Sequence, residues 1–264
     1  SAASDVDKRQ AYEGYLLHKG GKGLAWNTVS TYMRMLQAVY NRAVVRKLAA
    51  FIPHQFRDVF TGRKADHRRV LERDDMQKLL VERDPDITSP GMAWARACLE
   101  LMFRFHGMPF VDLAHLRKSD LKDGYLTLRR RKTGMPLSAR VDGRAMQLLE
   151  RYRNRDDTSP YLLCFLDGNL EGMAAYRDYQ RILRLLNSRL RVLALWKKVQ
   201  GKVTSYSARH TWATVGRYCH IPIEVISEGL GHASVTTTEG YMKGFGNSRM
   251  DRANKVIMNY IFKG

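Results

Sequence analysis

The stretch from Tyr206 to Tyr241, YSARHTWATVGRYCHIPIEVISEGLGHASVTTTEGY, decides how the rest of the chain is interpreted. Its apolar spacing predicts two short helices and the start of a third. Tyr206 and Arg209 lie three residues apart across the first helix start, so both side chains can point the same way. The residues expected on the opposite, buried face of that helix are Trp212, Val215 and Cys219.

The second helix of this stretch, from Ile223 to Leu230, is expected to end at Gly231, because glycine suits a left-handed C-cap. His232 then follows directly after the helix end, and Tyr241 comes nine residues later. An arginine, a histidine and a tyrosine can therefore converge on one phosphate.

The charge of the chain points to a polyanionic partner. Forty-five Lys and Arg against 26 Asp and Glu give a formal net charge of +19 over 264 residues, with a pI near 10.1. Such a field attracts a polyanion before any specific contact forms. Nucleic acid is the leading partner, and an anionic membrane surface is the second.

The sequence also restricts the location of the protein. It contains no apolar run of membrane-spanning length and no signal peptide in SAASDVDKRQ, so a cytoplasmic, nucleoid-associated protein without a membrane partner is expected. The chain begins at Ser1, as expected of a piece of a longer protein. Cys98, Cys164 and Cys219 stand in apolar segments, which predicts free, buried thiols.

Two helices are predicted near the N-terminus, over residues 10–18 and 28–44. The loop between them contains Lys22, an expected phosphate contact. The apolar stripe of the second helix comprises Val29, Tyr32, Leu36, Val39, Tyr40 and Ala43. Thr31 and Arg34 lie off this stripe, on a face that suits DNA contacts and equally suits simple exposure to solvent.

A basic stretch, TGRKADHRR at residues 61–69, follows a third short helix expected over residues 46–51. Its composition indicates a linker. Within it, Arg63 and Lys64 are expected to lie along a phosphate backbone. The predicted organisation is a helical domain over residues 1–62, a basic linker over 63–70 and a second domain over 71–264.

The second domain is predicted to be mostly helical with one small sheet. Alternating polar and apolar residues in GYLTLRR, residues 124–130, indicate a strand, and PLSARV, residues 136–141, indicates another. The two form a β-hairpin with a basic tip, where Lys132 can be one of several phosphate clamps together with Arg129, Arg130 and Arg131. The predicted fold class is therefore mainly α with a small antiparallel β-sheet.

The ordered motifs RHT at 209–211, LGH at 230–232 and Tyr241 resemble the tyrosine recombinase family, which includes phage and mobile-element integrases. Lys132 in the hairpin sequence RKTG resembles the catalytic lysine of that family. The N-terminal helices resemble its core-binding domain, so the resemblance covers nearly the whole chain. It implies a site-specific recombinase that cleaves and rejoins DNA through a 3′-phosphotyrosine, in integration, excision or inversion.

The resemblance also implies a role for each residue of the site. Tyr241 is the expected nucleophile, and Lys132 the general acid for the departing 5′ oxygen. Arg209 is expected to neutralise the charge that builds on the non-bridging oxygens. His232 donates to the phosphate or takes the tyrosine proton. Because the phosphotyrosine retains the bond energy, no ATP, metal or other cofactor is expected.

Two positions depart from the family pattern. Tyr206 stands where the family usually has histidine, and a phenol with a reference pKa of about 10 is expected to position the phosphate, not to act as a base. Pro109, in GMPFVD at residues 107–112, stands where the first catalytic arginine belongs. The candidates to replace that arginine are Arg104, Arg117 and His106, of which Arg104 is included among the catalytic residues.

Three other functions are consistent with parts of the sequence. Pro109 suggests a non-catalytic DNA-binding protein on the same scaffold. A type IB topoisomerase shares the chemistry but acts on one strand without partners. The motifs SDLK at 119–122 and KTG at 132–134 mimic a serine β-lactamase, but they are too close together and lack Ser-Asp-Asn between them, so that reading is excluded.

The tail beyond Tyr241 has an apolar stripe at helical spacing, formed by Ala253, Ile257, Tyr260 and Ile261. The resemblance implies that this helix is passed to a neighbouring protomer in a tetrameric synapse on DNA. Packing against its own domain is the alternative. The resemblance also allows accessory DNA-bending proteins as partners.

Overall fold

The computed structural model describes residues 2–21, 23–62, 70–80, 89–232 and 235–239. The chain divides into two compact units, Ser1–Asp66 and His67–Gly264. Helices dominate, and the described strands form one small antiparallel sheet, which confirms the predicted fold class. None of the described helices is both long enough and apolar enough to span a membrane.

The N-terminal unit is built on two helices, α1 (Ala2–His18) and α2 (Trp26–Val45). A single 3₁₀ turn, Lys19–Gly21, follows α1. The small core of the unit consists of Leu16, Val29, Met33, Phe56 and Val59. Ser30 donates a hydrogen bond of 2.6 Å to the carbonyl of Gly62, which holds the end of the unit against α2.

The apolar stripe predicted for α2 is mostly wrong. Tyr32, Leu36 and Val39 are 45%, 38% and 67% exposed, whereas Val29 and Met33 are fully buried. The cause is the returning segment of the chain, which covers the face that carries Ser30 and Met33 and leaves the neighbouring apolar face open.

The short helix expected over residues 46–51 is absent from the structure. Helix α2 ends at Val45, and Lys47 adopts a left-handed conformation with φ of 59°. The N–H of Leu48 donates to the carbonyl of Ala43 at 2.8 Å, which closes the helix end. The chain then continues without regular helix.

The C-terminal unit contains the remaining elements. Its helices are α3 (Arg73–Leu80), α4 (Pro90–Arg104), α5 (Phe110–Ala114), α6 (Gly143–Arg151), α7 (Gly172–Trp196), α8 (Ser207–Tyr218), α9 (Ile223–Gly229) and α10 (Val235–Glu239). Helix α4 is central and packs against α3, α5, α6, α7 and α8. Its Leu99, Leu101 and Met102 are fully buried, because these helices pack around it.

The sheet has the order β1 (Leu121–Lys122), β2 (Tyr125–Arg129) and β3 (Pro136–Arg140), all antiparallel. Leu126 pairs with Ala139, and both face the core. Strand side chains alternate between the two faces, so the residues of even number on β2 point inward. By the same alternation, the side chain of residue 130, directly after the strand, also points inward.

The prediction of three buried thiols holds for one cysteine. Cys98 on α4 is fully buried, and burial raises the pKa of its thiol well above the ordinary value. Cys164 and Cys219 are exposed. Cys219 is exposed because it follows the last turn of α8, where the chain leaves the core.

Candidate functional site

Helix α8 carries Arg209 near its start, and the side chain of this arginine is buried, with 3% exposure. The prediction that Trp212, Val215 and Cys219 form the buried face is wrong. Trp212 and Val215 are half-buried, and the buried positions include Arg209 and Ala213. A buried guanidinium needs hydrogen-bond acceptors in place of water, and the surrounding loops provide them.

Two main-chain carbonyls accept hydrogen bonds from Arg209. Its Nη1 donates to the carbonyl of Gly107 at 3.0 Å, and its Nη2 donates to that of Leu230 at 2.6 Å. Gly107 has φ of +66°, and a Cβ at this position would lie 2.9 Å from the Cα of Arg209. Glycine therefore allows the turn before α5 to approach α8 closely enough to bind the guanidinium.

The end of helix α9 places His232, as the sequence predicts. Gly231 is left-handed with φ of +61°, and the N–H of His232 donates to the carbonyl of Ser227 at 3.0 Å. The left-handed C-cap is thus confirmed. It turns the chain so that the imidazole of His232 reaches Arg209, with 2.7 Å between Nε2 and the arginine Nη2.

The hydrogen bonds of His232 determine its tautomer. An arginine can only donate, so Nε2 of the imidazole accepts from Arg209 and carries no proton. The proton of the neutral ring then lies on Nδ1, which donates to Oγ1 of Thr238 at 2.7 Å. Thr238 is a fully buried residue of α10, the helix that ends two residues before Tyr241.

The environment of His232 favours the neutral ring. Burial, and then the positive charges of Arg209, Arg130 and Lys132, lower the pKa of His232 from 6.5 to about 4. At neutral pH the imidazole is therefore an acceptor that is held between an arginine and a threonine. The same electrostatic effect indicates that Arg130 and Lys132 lie near His232.

Arg130 is the residue of this cluster that the sequence indicates only as a possible phosphate clamp and not as a catalytic residue. It is 5% exposed, its Nε donates to Oδ2 of Asp112 at 2.7 Å, and its Nη1 donates to the carbonyl of Leu230. Leu230 thus accepts from both Arg130 and Arg209. The alternation along the strand predicts this burial, because residue 130 is on the same face as the inward-pointing Leu126 and Leu128.

Lys132 lies at the exposed tip of the hairpin, as predicted. The base of this tip is anchored, since the N–H of Arg131 donates to Oδ1 of Asp112 at 3.0 Å. Asp112 therefore binds the hairpin at two successive residues, through one oxygen each. Lys132 follows directly, with its side chain in solvent.

Tyr206 occupies the position before α8 and is 39% exposed. Beside it lies a cleft of about 360 Å³ whose lining includes Pro109, Tyr179 and Tyr206. Desolvation, followed by nearby charges, raises the pKa of Tyr179 to about 12, so this phenol stays protonated. Pro109, at the sequence position where the family pattern has an arginine, lines this cleft together with Tyr206.

The three residues proposed from sequence to replace the missing arginine make other contacts. Arg104 pairs with Glu100 at 3.0 Å and with Asp142 at 2.6 Å, on the side of α4 that faces α6. Arg117 is exposed, and its backbone bridges to Tyr161. The ring of His106 packs on Trp212, and burial lowers its pKa. The structure does not bring Arg104 to Arg209.

The predicted DNA contacts are exposed where they are described, namely Thr31, Arg34, Arg129 and Arg131. Lys22, Arg63, Lys64 and Tyr241 lie outside the described residues, as does the tail. Within the described ranges, no group of three or more His, Cys, Asp or Glu side chains comes together as a metal site.

Comparison with known proteins identifies relatives of this arrangement. Residues 69–246 match the phage integrase family. Over 140 residues, the chain is 29% identical to the tyrosine recombinase XerA of Pyrococcus furiosus, which covers 52% of this chain and 46% of XerA. The chain thus spans about half the length of that curated relative. The resemblance drawn from the motifs is confirmed.

Two solved structures share the fold. A lambda integrase dimer bound to a COC′ core site superimposes with a TM-score of 0.65 and 17% identity, covering 92% of this chain and 81% of that one. The Tn1549 transposon integrase in complex with transposon right end DNA gives a TM-score of 0.65 and 15% identity, covering 97% and 85%. At these identities the likeness concerns the fold.

The tautomer of His232 is testable by NMR. We expect its ring to be neutral at pH 7 with the proton on Nδ1, and to titrate near pH 4. Since the folded pKa lies below 6.5, protonation favours the unfolded chain. His232 therefore contributes stability above about pH 6.5 and loses it as the pH falls toward about 4.

The ring ¹⁵N shifts of wild type, Thr238→Val and Thr236→Val proteins provide the measurement. Thr236 is an exposed residue of the same helix and serves as the matched control. Loss of the Thr238 acceptor is expected to shift the Nδ1 resonance, because its N–H loses its partner while Arg209 still donates to Nε2, whereas Thr236→Val leaves the shifts unchanged. A wild-type midpoint near 6.5, or identical shifts in Thr238→Val, would contradict the assignment.

Proposed function

The chain belongs to the phage integrase family, and we propose that it is a site-specific recombinase that cleaves and rejoins DNA through a 3′-phosphotyrosine. The observation that carries this proposal is the convergence of Arg209 and His232 at the end of α9, with the exposed Lys132 nearby. A positively charged pocket with a neutral imidazole suits a phosphodiester, which is a monoanion.

The proposed cleavage step assigns one task to each group. The hydroxyl oxygen of Tyr241 attacks the phosphorus, and the bond from phosphorus to the 5′ oxygen breaks. Arg209 stabilises the charge on the non-bridging oxygens. Lys132 supplies the proton that the 5′ oxygen takes as it leaves. Rejoining is the reverse reaction, so the proposed reaction requires neither ATP nor a metal.

His232 is proposed as the acceptor of the tyrosine proton. Its unprotonated Nε2 is bound to Arg209 in the structure. A bound phosphate would draw the Nη2 donor of Arg209 and release Nε2 for the tyrosine hydroxyl. The negative charge of the phosphate would also raise the pKa of the imidazole from about 4, which strengthens it as a base. Tyr206 is proposed to position the phosphate from its place before α8.

The exposed basic residues support DNA as the substrate. Arg129 and Arg131 flank the buried Arg130 at the hairpin, and Thr31 and Arg34 are exposed on α2. We propose that the N-terminal unit acts as a core-binding domain over residues 1–62, with the basic residues Lys22, Arg63 and Lys64 along the backbone. The two solved structures with this fold are bound to a COC′ core site and to transposon right end DNA, which supports this proposal.

The test of the function is a covalent adduct. A pool of short duplexes with randomised sequence is incubated with the protein, and adducts are trapped with SDS and sequenced. We expect wild type to form an SDS-stable adduct, Tyr241→Phe to form none while it still binds DNA, and Lys132→Ala to cleave about 10²-fold more slowly, as for loss of a general acid.

A second tyrosine provides the matched control for this assay. Tyr218→Phe removes one phenol at the last turn of α8 and is expected to leave the adduct unchanged. DNA binding by wild type without any adduct would instead favour a non-catalytic DNA-binding protein. Cleavage and rejoining of single strands by a lone protomer would favour a topoisomerase.

Self-association on DNA is the second part of the proposal. The solved relatives include a dimer and a tetramer on DNA, which supports assembly of this chain. We propose a tetrameric synapse in which the tail stripe of Ala253, Ile257, Tyr260 and Ile261 packs on a neighbouring protomer. Accessory DNA-bending proteins remain part of the proposal.

Deletion of the residues after Asn247 tests the exchange of the tail. The truncated protein is expected to bind a single site with unchanged affinity but to lose synapsis, measured by native gel shift on duplexes recovered from the adduct assay. A quadruple substitution of the tail stripe by serine should have the same effect. Normal assembly of both variants would show that the tail packs on its own domain.

A further inference from the structure

The carbonyl oxygen of Leu230 accepts hydrogen bonds from two buried arginines, Arg209 and Arg130. Two cations that share one acceptor atom lie close together, and both are nearly excluded from water, at 3% and 5% exposure. Like charges at such a separation repel each other, and burial adds to this cost. An arrangement of this kind requires compensating negative charge.

One carboxylate lies directly against this pair of arginines. Asp112, whose side chain is 1% exposed, pairs with Arg130 at 2.7 Å and supplies one negative charge. The partners of Arg209 described above are two neutral carbonyls and a neutral imidazole. The charges of Arg209, Arg130 and Asp112 themselves sum to +1, and the cationic Lys132 lies near them. This balance suits an incoming anion of one negative charge.

The hydrogen bonds of Arg130 leave one donor group available. Its Nε binds Asp112, and its Nη1 binds the carbonyl of Leu230. Its Nη2 makes no hydrogen bond with any residue of the described ranges. A guanidinium held on two sides, with its third nitrogen unused, is preorganised to bind an oxyanion.

Gly231 provides an independent indication that the position of Arg130 is specified. A Cβ at residue 231 would lie 2.8 Å from Nη1 of Arg130 and 3.2 Å from its Cγ. Only glycine therefore lets the backbone after α9 lie against this arginine. The same glycine turns the chain toward His232, so one residue fixes both groups relative to each other.

We propose that Arg130 is the second cation of the scissile-phosphate site and replaces the arginine that the family has where this chain has Pro109. Its Nη2 donates to a non-bridging oxygen of the phosphate that Arg209 also contacts. Asp112 is a positioning residue, which holds Arg130 and the backbone of Arg131. This inference rests on the proposed function for the identity of the phosphate but also predicts anion binding by itself.

The first test uses inorganic phosphate as the probe and the ring resonances of His232 as the readout, at constant pH. We expect phosphate to shift these resonances in wild type and to bind at least about 10-fold more weakly in Arg130→Ala, as for loss of a charged hydrogen bond. Arg153→Ala is the matched control, because it removes one arginine that pairs with Glu150 on the surface.

The second test is the rate of adduct formation with the randomised duplex pool. Arg130→Ala is expected to be about 10² to 10³-fold slower than wild type, as for loss of one preorganised transition-state donor, and Arg130→Lys is expected to recover part of this loss. If removal of Arg130 leaves Asp112 uncompensated and prevents folding, the double variant Asp112→Asn with Arg130→Gln keeps the charge balance.

The outcomes separate the two proposals. Equal rates and equal phosphate binding in wild type and the folded Arg130 variants would overturn the role of Arg130 and leave the recombinase function intact. An Arg104→Ala defect with a normal Arg130→Ala protein would also overturn it. Phosphate binding that depends on Arg130, without any adduct in wild type, would sustain this inference and reject the proposed function. A wild-type His232 that does not respond to phosphate would reject the anion site.

Discussion

The site depends on the main-chain carbonyl of Leu230, because this one oxygen binds both buried guanidiniums. Its position follows from the end of α9, where Gly231 reverses the chain in a left-handed conformation. The reversal exposes the Leu230 carbonyl to Arg209 from α8 and to Arg130 from the hairpin, and it delivers His232 beside them. A helix end thus becomes the junction of three elements that are distant in sequence.

The electrostatics of the cluster follow from this junction. Burial, and then the charges of Arg209, Arg130 and Lys132, lower the pKa of His232 to about 4 and keep its ring neutral. Asp112 offsets one of the arginines and binds the hairpin base. Among these residues three cations stand against one carboxylate, and the imidazole is a neutral acceptor. Thr238 connects that acceptor to α10 and therefore to the segment that precedes Tyr241.

The features that local sequence determines were predicted well. The glycine C-cap at Gly231, the β-hairpin with Lys132 at its tip and the positions of Arg209 and His232 depend on residues close to each other in the chain. In the hairpin, the inward-facing position of residue 130 was overlooked. An arginine at an inward-facing position needs a buried partner. The position of residue 130 therefore sets Arg130 apart from the exposed basic residues on either side of it.

The predictions that failed concern features that depend on contacts between residues distant in sequence. Helix α2 has two adjacent apolar faces, and which face is buried depends on where residues 56–62 return. Arg104 was proposed to replace the missing arginine because it is close to Pro109 in sequence. Its actual partner Asp142 lies 38 residues away and could not be foreseen. Likewise, Arg209 is buried and Cys219 is not, because carbonyl oxygens on two other loops accept hydrogen bonds from Arg209.

The central claim is that one phosphate is bound jointly by Arg209 and Arg130 at the end of α9. An experimental structure of the Tyr241→Phe protein on a duplex recovered by its wild-type adduct tests it most directly. The account predicts that both guanidiniums donate to non-bridging oxygens of the same phosphate, with Asp112 still paired to Arg130. A phosphate bound by Arg209 and Arg104, with Arg130 turned away, would contradict it.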